Sequence, residues 1–178
     1  MSTDNAPQMI ASSAPGFRLS EAELAEIHHE MSHYEDPRAA SIEALKAVQK
    51  HRGWVPDEAI DAIAAVIGIP ASDVEGVATF YNMIFRRPVG RHVIKVCDSI
   101  SCFLTGYDAL KDALMAHTGL GYGETSADSR YTLLPVCCLG NCACSPAIRI
   151  DDDVHGRVDA RTLAVLLDEL RSQVVEGR

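Results

Sequence analysis

The sequence has no long apolar run and no excess of positive charge. Its 178 residues include 16 Lys and Arg against 25 Asp and Glu, which gives a formal net charge of −9. A nucleic-acid surface needs a basic patch that displaces counterions from phosphates, so this balance argues against nucleic acid as a partner. No stretch approaches the roughly 20 consecutive apolar residues that span a bilayer, so the sequence predicts no direct membrane insertion.

The first residues lack the features of a targeting segment. Residues 1–16 are rich in Ala, Ser and Pro, have no apolar run and contain no Lys or Arg. We therefore expect neither a secretory signal nor a transit peptide. Disulfides, which form in oxidising compartments, are not expected either. Residues 1–18 are predicted to be a disordered tail.

The cysteines are concentrated in one segment of the second half of the chain. The six are Cys97, Cys102, Cys137, Cys138, Cys142 and Cys144. The first two are spaced Cys-x4-Cys, and Cys138 and Cys142 are spaced Cys-x3-Cys. Two close pairs, separated by enough chain for a helix and a strand, suggest four thiolates that converge on one metal centre.

The spacing of these pairs favours an iron–sulfur cluster. The Cys-x2-Cys spacing of structural zinc sites and thiol-redox motifs is absent. A [2Fe–2S] cluster is wider than one ion, and the longer Cys-x4-Cys spacing occurs in plant-type ferredoxins. Gly140, inside the second spacer, fits a backbone that curls closely around a cluster. The alternative from a different class is a zinc-stapled interaction module without a redox role.

Spacing alone does not say which four of the six cysteines are ligands. Cys137 and Cys138 are adjacent, and neighbouring side chains at the end of an extended run point to opposite sides. Only one of them is therefore expected to face the centre. The residues leave this choice open, as well as the choice between Cys142 and Cys144.

The pattern from residue 20 to residue 85 predicts four helices. Ser20 begins a capping box for the first helix, and Ser72 begins another for the fourth. Pro37 and Pro56 favour the first turns of the second and third helices. Four aromatic residues are expected to pack inward, with a partner interface as the alternative: Trp54, Phe80, Tyr81 and Phe85.

After residue 90 the pattern changes to short strands. A β-branched run over 92–96 ends directly at Cys97, and residues 104–117 predict a helix. Residues 131–136 predict a second strand, followed by a hairpin around 151–153 and a last helix capped by Asp159. The sequence thus predicts an α+β protein, with a helical bundle over residues 19–88 and an α/β domain over residues 89–178.

One further motif lies in the first predicted helix. His29, Glu30 and His33 match H-E-x-x-H, the signature of zinc hydrolases. The two histidines lie roughly opposite the apolar stripe of Ile27 and Met31. A hydrolase would need this face to line a cleft with a third ligand, so we expect solvated surface histidines.

Several motifs occur along the chain in a fixed order: 76–81 (GVATFY), 88–90 (PVG), 96–99 (VCDS) with Cys102, and 138–142 (CLGNC) followed by Ser145 and Pro146. Together they resemble the family of the E subunits of bacterial respiratory complex I, NADH:quinone oxidoreductase. The resemblance runs from about residue 19 to residue 170. It implies a thioredoxin-like [2Fe–2S] ferredoxin domain with Cys97, Cys102, Cys138 and Cys142 as the ligands. Cys137 and Cys144 are then a flanking residue and an extra thiol.

The resemblance also implies a role and partners. The chain is expected to be a redox subunit without a complete active site, which exchanges one electron with the flavin of a neighbouring subunit. FMN and NADH are expected on that partner, because no glycine-rich nucleotide loop follows a strand here. The large iron–sulfur subunit is a second expected partner, and the location is peripheral, on the cytoplasmic side of the bacterial inner membrane.

The same fold and cysteine pattern occur in a second group of proteins. These are the gamma-type subunits of soluble NAD-linked formate dehydrogenases and the related subunit of NAD-reducing hydrogenases. The ligand loops do not separate them from complex I. The N-terminal helical stretch and the run 137–142 (CCLGNC) favour complex I.

Overall fold

The computed structural model describes residues 17–172, so the predicted tail lies outside this range except for Phe17 and Arg18. The chain divides into two compact units between Pro88 and Val89. The described part of the first unit is helical, and the second is built on a four-stranded sheet. The predicted α+β class is confirmed.

The first unit consists of four α-helices around one apolar core. They are α1 (Glu21–Met31), α2 (Ser41–Arg52), α3 (Asp57–Ile67) and α4 (Ala71–Phe80). A short 3-10 helix, Pro37–Ala40, precedes α2. The fully buried side chains include Ile27, Leu45, Val48, Ile63 and Val74. Each helix contributes to this core, as the helical spacing of its apolar residues predicts.

The helix starts show how local sequence decides where a helix begins. Ser20 is the N-cap of α1, and its side chain and that of Glu23 form the predicted capping box. The second predicted capping box is wrong. The N-cap of α4 is Pro70, with no side-chain cap, and Ser72 lies in the first turn. Proline already has the fixed φ of an extended N-cap residue, so the helix begins before Ser72 can cap it.

Glu23 of α1 also forms the most buried ion pair of this unit. Its side chain is 1% exposed, and Nη2 of Arg52 donates to its Oε2 over 2.7 Å. Burial raises the pKa of this carboxyl, but the Arg52 guanidinium and the Ser20 amide outweigh burial and hold the pKa below its ordinary value. Arg52 also stacks over the ring of Phe17 at 4.5 Å and donates to the carbonyl of Arg18. This pair therefore attaches the residues before α1 to the end of α2.

We expect Glu23→Gln to lower the free energy of unfolding by about 1–3 kcal/mol, because a charge-assisted hydrogen bond is lost inside the unit. The folded-state pKa of Glu23 lies below the unfolded one, so its stabilisation is complete at neutral pH and is lost as the pH falls through the folded-state value. Urea unfolding of the variant and the unchanged protein at neutral and acid pH measures the change in the free energy of unfolding. The exposed Glu21→Gln is the control. Equal destabilisation by both variants would contradict the prediction. So would a destabilisation by Glu23→Gln that does not become smaller at acid pH.

The second unit is a mixed sheet with helices. Its elements are β1 (His92–Cys97), α5 (Ile100–Thr105), α6 (Tyr107–Thr118), β2 (Tyr131–Val136), β3 (Ala147–Ile150), β4 (Asp153–Gly156) and α7 (Ala160–Ser172). The strand order is β2-β1-β3-β4, with β1 parallel to β2 and antiparallel to β3. Its core includes Ile94, Leu114, Leu133, Ile148, Leu163 and Leu167.

The parallel pair places two chain segments at the same edge of the sheet. Cys97, the last residue of β1, is the register partner of Val136, the last residue of β2. The predicted helix over 104–117 is instead two helices, because the chain breaks at Gly106, where φ is +126°. Cys102 therefore lies on the short helix α5. Within residues 17–172, no helix is long and apolar enough to cross a bilayer.

Candidate metal centre

The first cysteine pair is buried at the carboxyl end of β1. Cys97 ends the strand, Cys102 lies on the inner side of α5, and each is 2% exposed. Val136 and Ala147 pack with them in a small apolar cluster, and Leu139 covers its side. Because β1 and α5 are regular secondary structure, they fix the positions of the sulfurs of Cys97 and Cys102.

The second pair lies on the loop after β2. Cys138 and Cys142 are both exposed. Between them Gly140 has φ +75°, a left-handed conformation that glycine adopts without strain. Its amide points at a sulfur, and the N–H of Gly140 donates to Sγ of Cys138 over 3.3 Å. A 3-10 turn, Cys142–Cys144, follows.

Backbone groups connect the two loops. The N–H of Asp98 donates to the carbonyl of Val136 over 3.0 Å, which extends the parallel ladder beyond the strands. The carbonyl of Cys137 accepts from the hydroxyl of Ser99 and from the thiol of Cys97, the latter over 3.6 Å. These bonds hold the start of the second loop beside the first pair.

The thiols of the two pairs influence one another's pKa values. Burial raises the pKa of the Cys102 thiol to about 11, and the neighbouring thiols of Cys97 and Cys142 act in the same direction. The N–H of Gly140 lowers the pKa of Cys138, and the thiols of Cys142 and Cys97 also contribute. The thiols of Cys97 and Cys142 thus act on the pKa values of both Cys102 and Cys138.

The other two cysteines support the second loop through their backbone. Cys137 uses its carbonyl, as described above. The N–H of Cys144 donates to the carbonyl of Asn141 over 3.0 Å, and its carbonyl accepts from Arg157 over 2.6 Å. Of the adjacent cysteines, Cys138 is favoured as a ligand because the N–H of Gly140 donates to its sulfur over 3.3 Å.

The donor set of the site fits an iron–sulfur cluster. A [2Fe–2S] cluster is held by four thiolates on two irons. Here one pair, Cys97 and Cys102, is held by β1 and α5, and the loop that carries Cys138 and Cys142 is bonded beside it. Two cysteine pairs that meet at one edge of the sheet are therefore the donors that such a cluster needs.

The fold and the site together define a class of protein, a thioredoxin-like [2Fe–2S] ferredoxin. The sequence model of that family matches residues 27–171, and the chain belongs to this family. Its cofactor is accordingly a [2Fe–2S] cluster. Which cysteines bind the cluster stays a prediction that rests on the geometry above.

Two proteins with high sequence identity to this chain are subunits of the same kind of enzyme. The E subunit of NADH-quinone oxidoreductase from Pseudomonas aeruginosa is 63% identical over 152 residues, which cover 85% of this chain and 92% of the relative. The E subunit of the same enzyme from Escherichia coli strain K12 is 59% identical over 155 residues, with 87% and 93% covered.

A solved structure has the same fold. The crystal structure of NAD+-reducing [NiFe]-hydrogenase in the H2-reduced state matches 74% of this chain with a TM-score of 0.62 and 24% identity. This chain spans about a fifth of that hydrogenase chain, 22%. At this identity the likeness concerns the fold alone.

Proposed function

We propose that this chain is the E subunit of an NADH-quinone oxidoreductase and exchanges one electron with the flavin of a neighbouring NADH-oxidising subunit. The observation that carries the proposal is that β1 and β2 end in register and that backbone bonds hold the loop of Cys138 and Cys142 beside Cys97 and Cys102. Identities of 63% and 59% to E subunits of that enzyme support it over the hydrogenase or formate dehydrogenase alternative.

In this proposal Cys97, Cys102, Cys138 and Cys142 hold the cluster. When bound, the cluster supplies reversible one-electron transfer. Cys97 and Cys102 fix one side of the site from within the apolar cluster. The Gly140 N–H donates to the sulfur of Cys138. An amide that donates to a thiolate sulfur stabilises the more negative state, so this bond raises the reduction potential.

The outer side of α5 is the proposed contact with the flavin-bearing subunit. Ile100, Phe103 and Leu104 are 69%, 53% and 76% exposed, although they flank the buried Cys102. Large apolar side chains grouped on a surface mark interaction sites. Electron transfer falls steeply with distance, so a partner that exchanges electrons must cover the surface nearest the ligands. The occupant we propose is therefore the FMN and NADH-binding subunit.

The chain is a subunit of an oxidoreductase complex, and we propose that it has no complete active site of its own. FMN and NADH bind to the partner, and the large iron–sulfur subunit is a second proposed neighbour. Within residues 17–172 no helix can cross a membrane. The proposed location, the cytoplasmic side of the bacterial inner membrane, therefore depends on partner subunits.

We expect Leu104→Ser in the cluster-loaded protein to weaken binding to the isolated FMN and NADH-binding subunit by about tenfold or more, because a central apolar contact is worth at least about 1–2 kcal/mol. Reduction of the chain by NADH, followed by EPR, should require that subunit and slow with the same variant.

The matched control is Val165→Ser on α7, another exposed apolar residue, which is 53% exposed. It should leave both binding and reduction unchanged. Equal binding of the Leu104→Ser variant and the unchanged protein would contradict the proposed contact. Failure of NADH to reduce the chain beside an active flavin subunit would contradict the proposed function.

A further inference from the structure

The H-E-x-x-H motif forms a compact group of metal-ligating atoms. In the described residues, ligand atoms of His29, Glu30 and His33 all lie within 4.8 Å of one another. The two imidazole rings meet edge to face with centroids 4.6 Å apart, and Nδ1 of His33 lies 3.7 Å from Oε2 of Glu30. The group belongs to the first unit and shares no residue with the cysteine site.

The end of α1 explains why three ligands gather here. His29 lies in the last turn of α1, and His33 follows two residues after the helix ends at Met31. After Met31 the chain tightens, since the N–H groups of His33 and Tyr34 donate to carbonyls three residues back, over 3.1 and 3.3 Å. In a 3-10 turn, residues three apart lie above one another. The carboxylate of Glu30 is thereby brought to the two imidazoles.

The charges around the group also favour a cation. Among residues 17–172, the ion-pair partner of Glu30 is His33, whereas the nearby Glu26 is occupied by Lys50 and His51. The carboxylate of Glu30 is therefore not neutralised by a lysine or arginine in the described residues. Its side chain is 29% exposed and that of His33 is 53% exposed, so both can be reached from solvent and can adjust their rotamers.

We propose that His29, Glu30 and His33 form a surface binding site for a divalent late transition-metal ion, with zinc as the representative ion. Two imidazole nitrogens and one carboxylate oxygen are the donors that zinc and its neighbours in the transition series prefer. Ligands at about 2.0–2.2 Å from one ion stand about 3–4 Å apart. Small side-chain rotations bring the present group to that spacing.

The site is a binding site and not a hydrolase centre. In H-E-x-x-H hydrolases the two histidines bind zinc and the glutamate is the general base. Here the carboxylate is itself the third donor, and His29 and His33 are exposed on the helix surface. Water completes the coordination of the ion.

The test is calorimetric titration of zinc chloride into the cluster-loaded, oxidised protein, whose ligand cysteines are then occupied. We expect one zinc per chain. Substitution of outer residues around a metal commonly lowers affinity about 10–100-fold, so loss of a direct ligand in His29→Ala or His33→Ala should lower it by at least about tenfold. Glu30→Gln should also weaken binding.

The matched control is His28→Ala, an exposed histidine on the same turn outside the group. It should bind zinc as the unchanged protein does, and circular dichroism should show that every variant keeps its helices. Equal zinc affinity of the unchanged protein and His33→Ala would overturn the site. So would Glu30→Gln with undiminished affinity. Zinc uptake that occurs only with bleaching of the visible cluster absorbance would place the ion on the cysteines and would also overturn the proposal.

Discussion

Alanine at Cys138 is expected to abolish cluster binding. Iron and sulfide should fall from two of each per chain to nearly none in anaerobically purified protein. The EPR signal that appears on reduction with dithionite should be absent. Cys97→Ala, Cys102→Ala and Cys142→Ala should behave in the same way, because a [2Fe–2S] cluster needs all four thiolates.

The two remaining cysteines provide the controls. Cys137 and Cys144 serve through their backbone groups, which alanine retains. Both alanine variants should keep two irons and two sulfides. A normal cluster in Cys138→Ala, together with loss in Cys137→Ala, would show that the adjacent cysteines are assigned in the wrong order. Zinc in place of iron and sulfide in the unchanged protein would remove electron transfer from its function.

The second large effect on cluster binding is expected at Gly156, the last residue of β4. This residue is not itself a candidate ligand. A Cβ atom on this residue would lie 2.6 Å from Cβ of Cys144, 2.7 Å from its carbonyl oxygen and 2.7 Å from Nδ2 of Asn141. Two of these atoms belong to the turn that carries Cys142. Gly156→Ala should therefore push the second ligand loop outward and reduce cluster occupancy severalfold. Overpacking of this kind also costs about 1–3 kcal/mol of stability.

Gly76 offers a matched glycine substitution. A Cβ atom there would have no neighbour within 4 Å, and the residue lies inside α4. Gly76→Ala should raise the free energy of unfolding by about 0.5–1 kcal/mol and leave the iron content unchanged. Iron analysis and urea unfolding of both variants check the pair. Full occupancy in Gly156→Ala would show that the loop accommodates the methyl group without moving its cysteines.

The sequence was most informative where one local interaction decides the structure. Ser20 with Glu23 predicts the start of α1 correctly, because both partners of the capping box are available. The same pattern at Ser72 fails, because Pro70 begins the helix earlier. Likewise, Phe80 and Tyr81 are 81% and 42% exposed and not core residues, since α4 ends at Phe80 and the helical spacing stops there.

The candidate site was predictable in its parts but not in its arrangement. Spacing and strand positions indicate that two cysteine pairs meet, and β1 and β2 do end in register. Neither spacing nor periodicity distinguishes Cys138 from Cys137, because that choice depends on which thiol the loop turns toward its neighbours. The short helix α5, which contains Cys102, was not predicted. It has only six residues, too few for a helical period to be visible.

The unequal burial of the two cysteine pairs affects how the cluster is assembled and how it is damaged. One pair is enclosed by strand and helix, and the other lies on an open loop. Iron and sulfide that arrive from solvent therefore meet Cys138 and Cys142 first, whereas Cys97 and Cys102 are enclosed. Peroxide and chelators meet the same exposed sulfurs first. A protein that covers this loop would therefore protect the cluster from both.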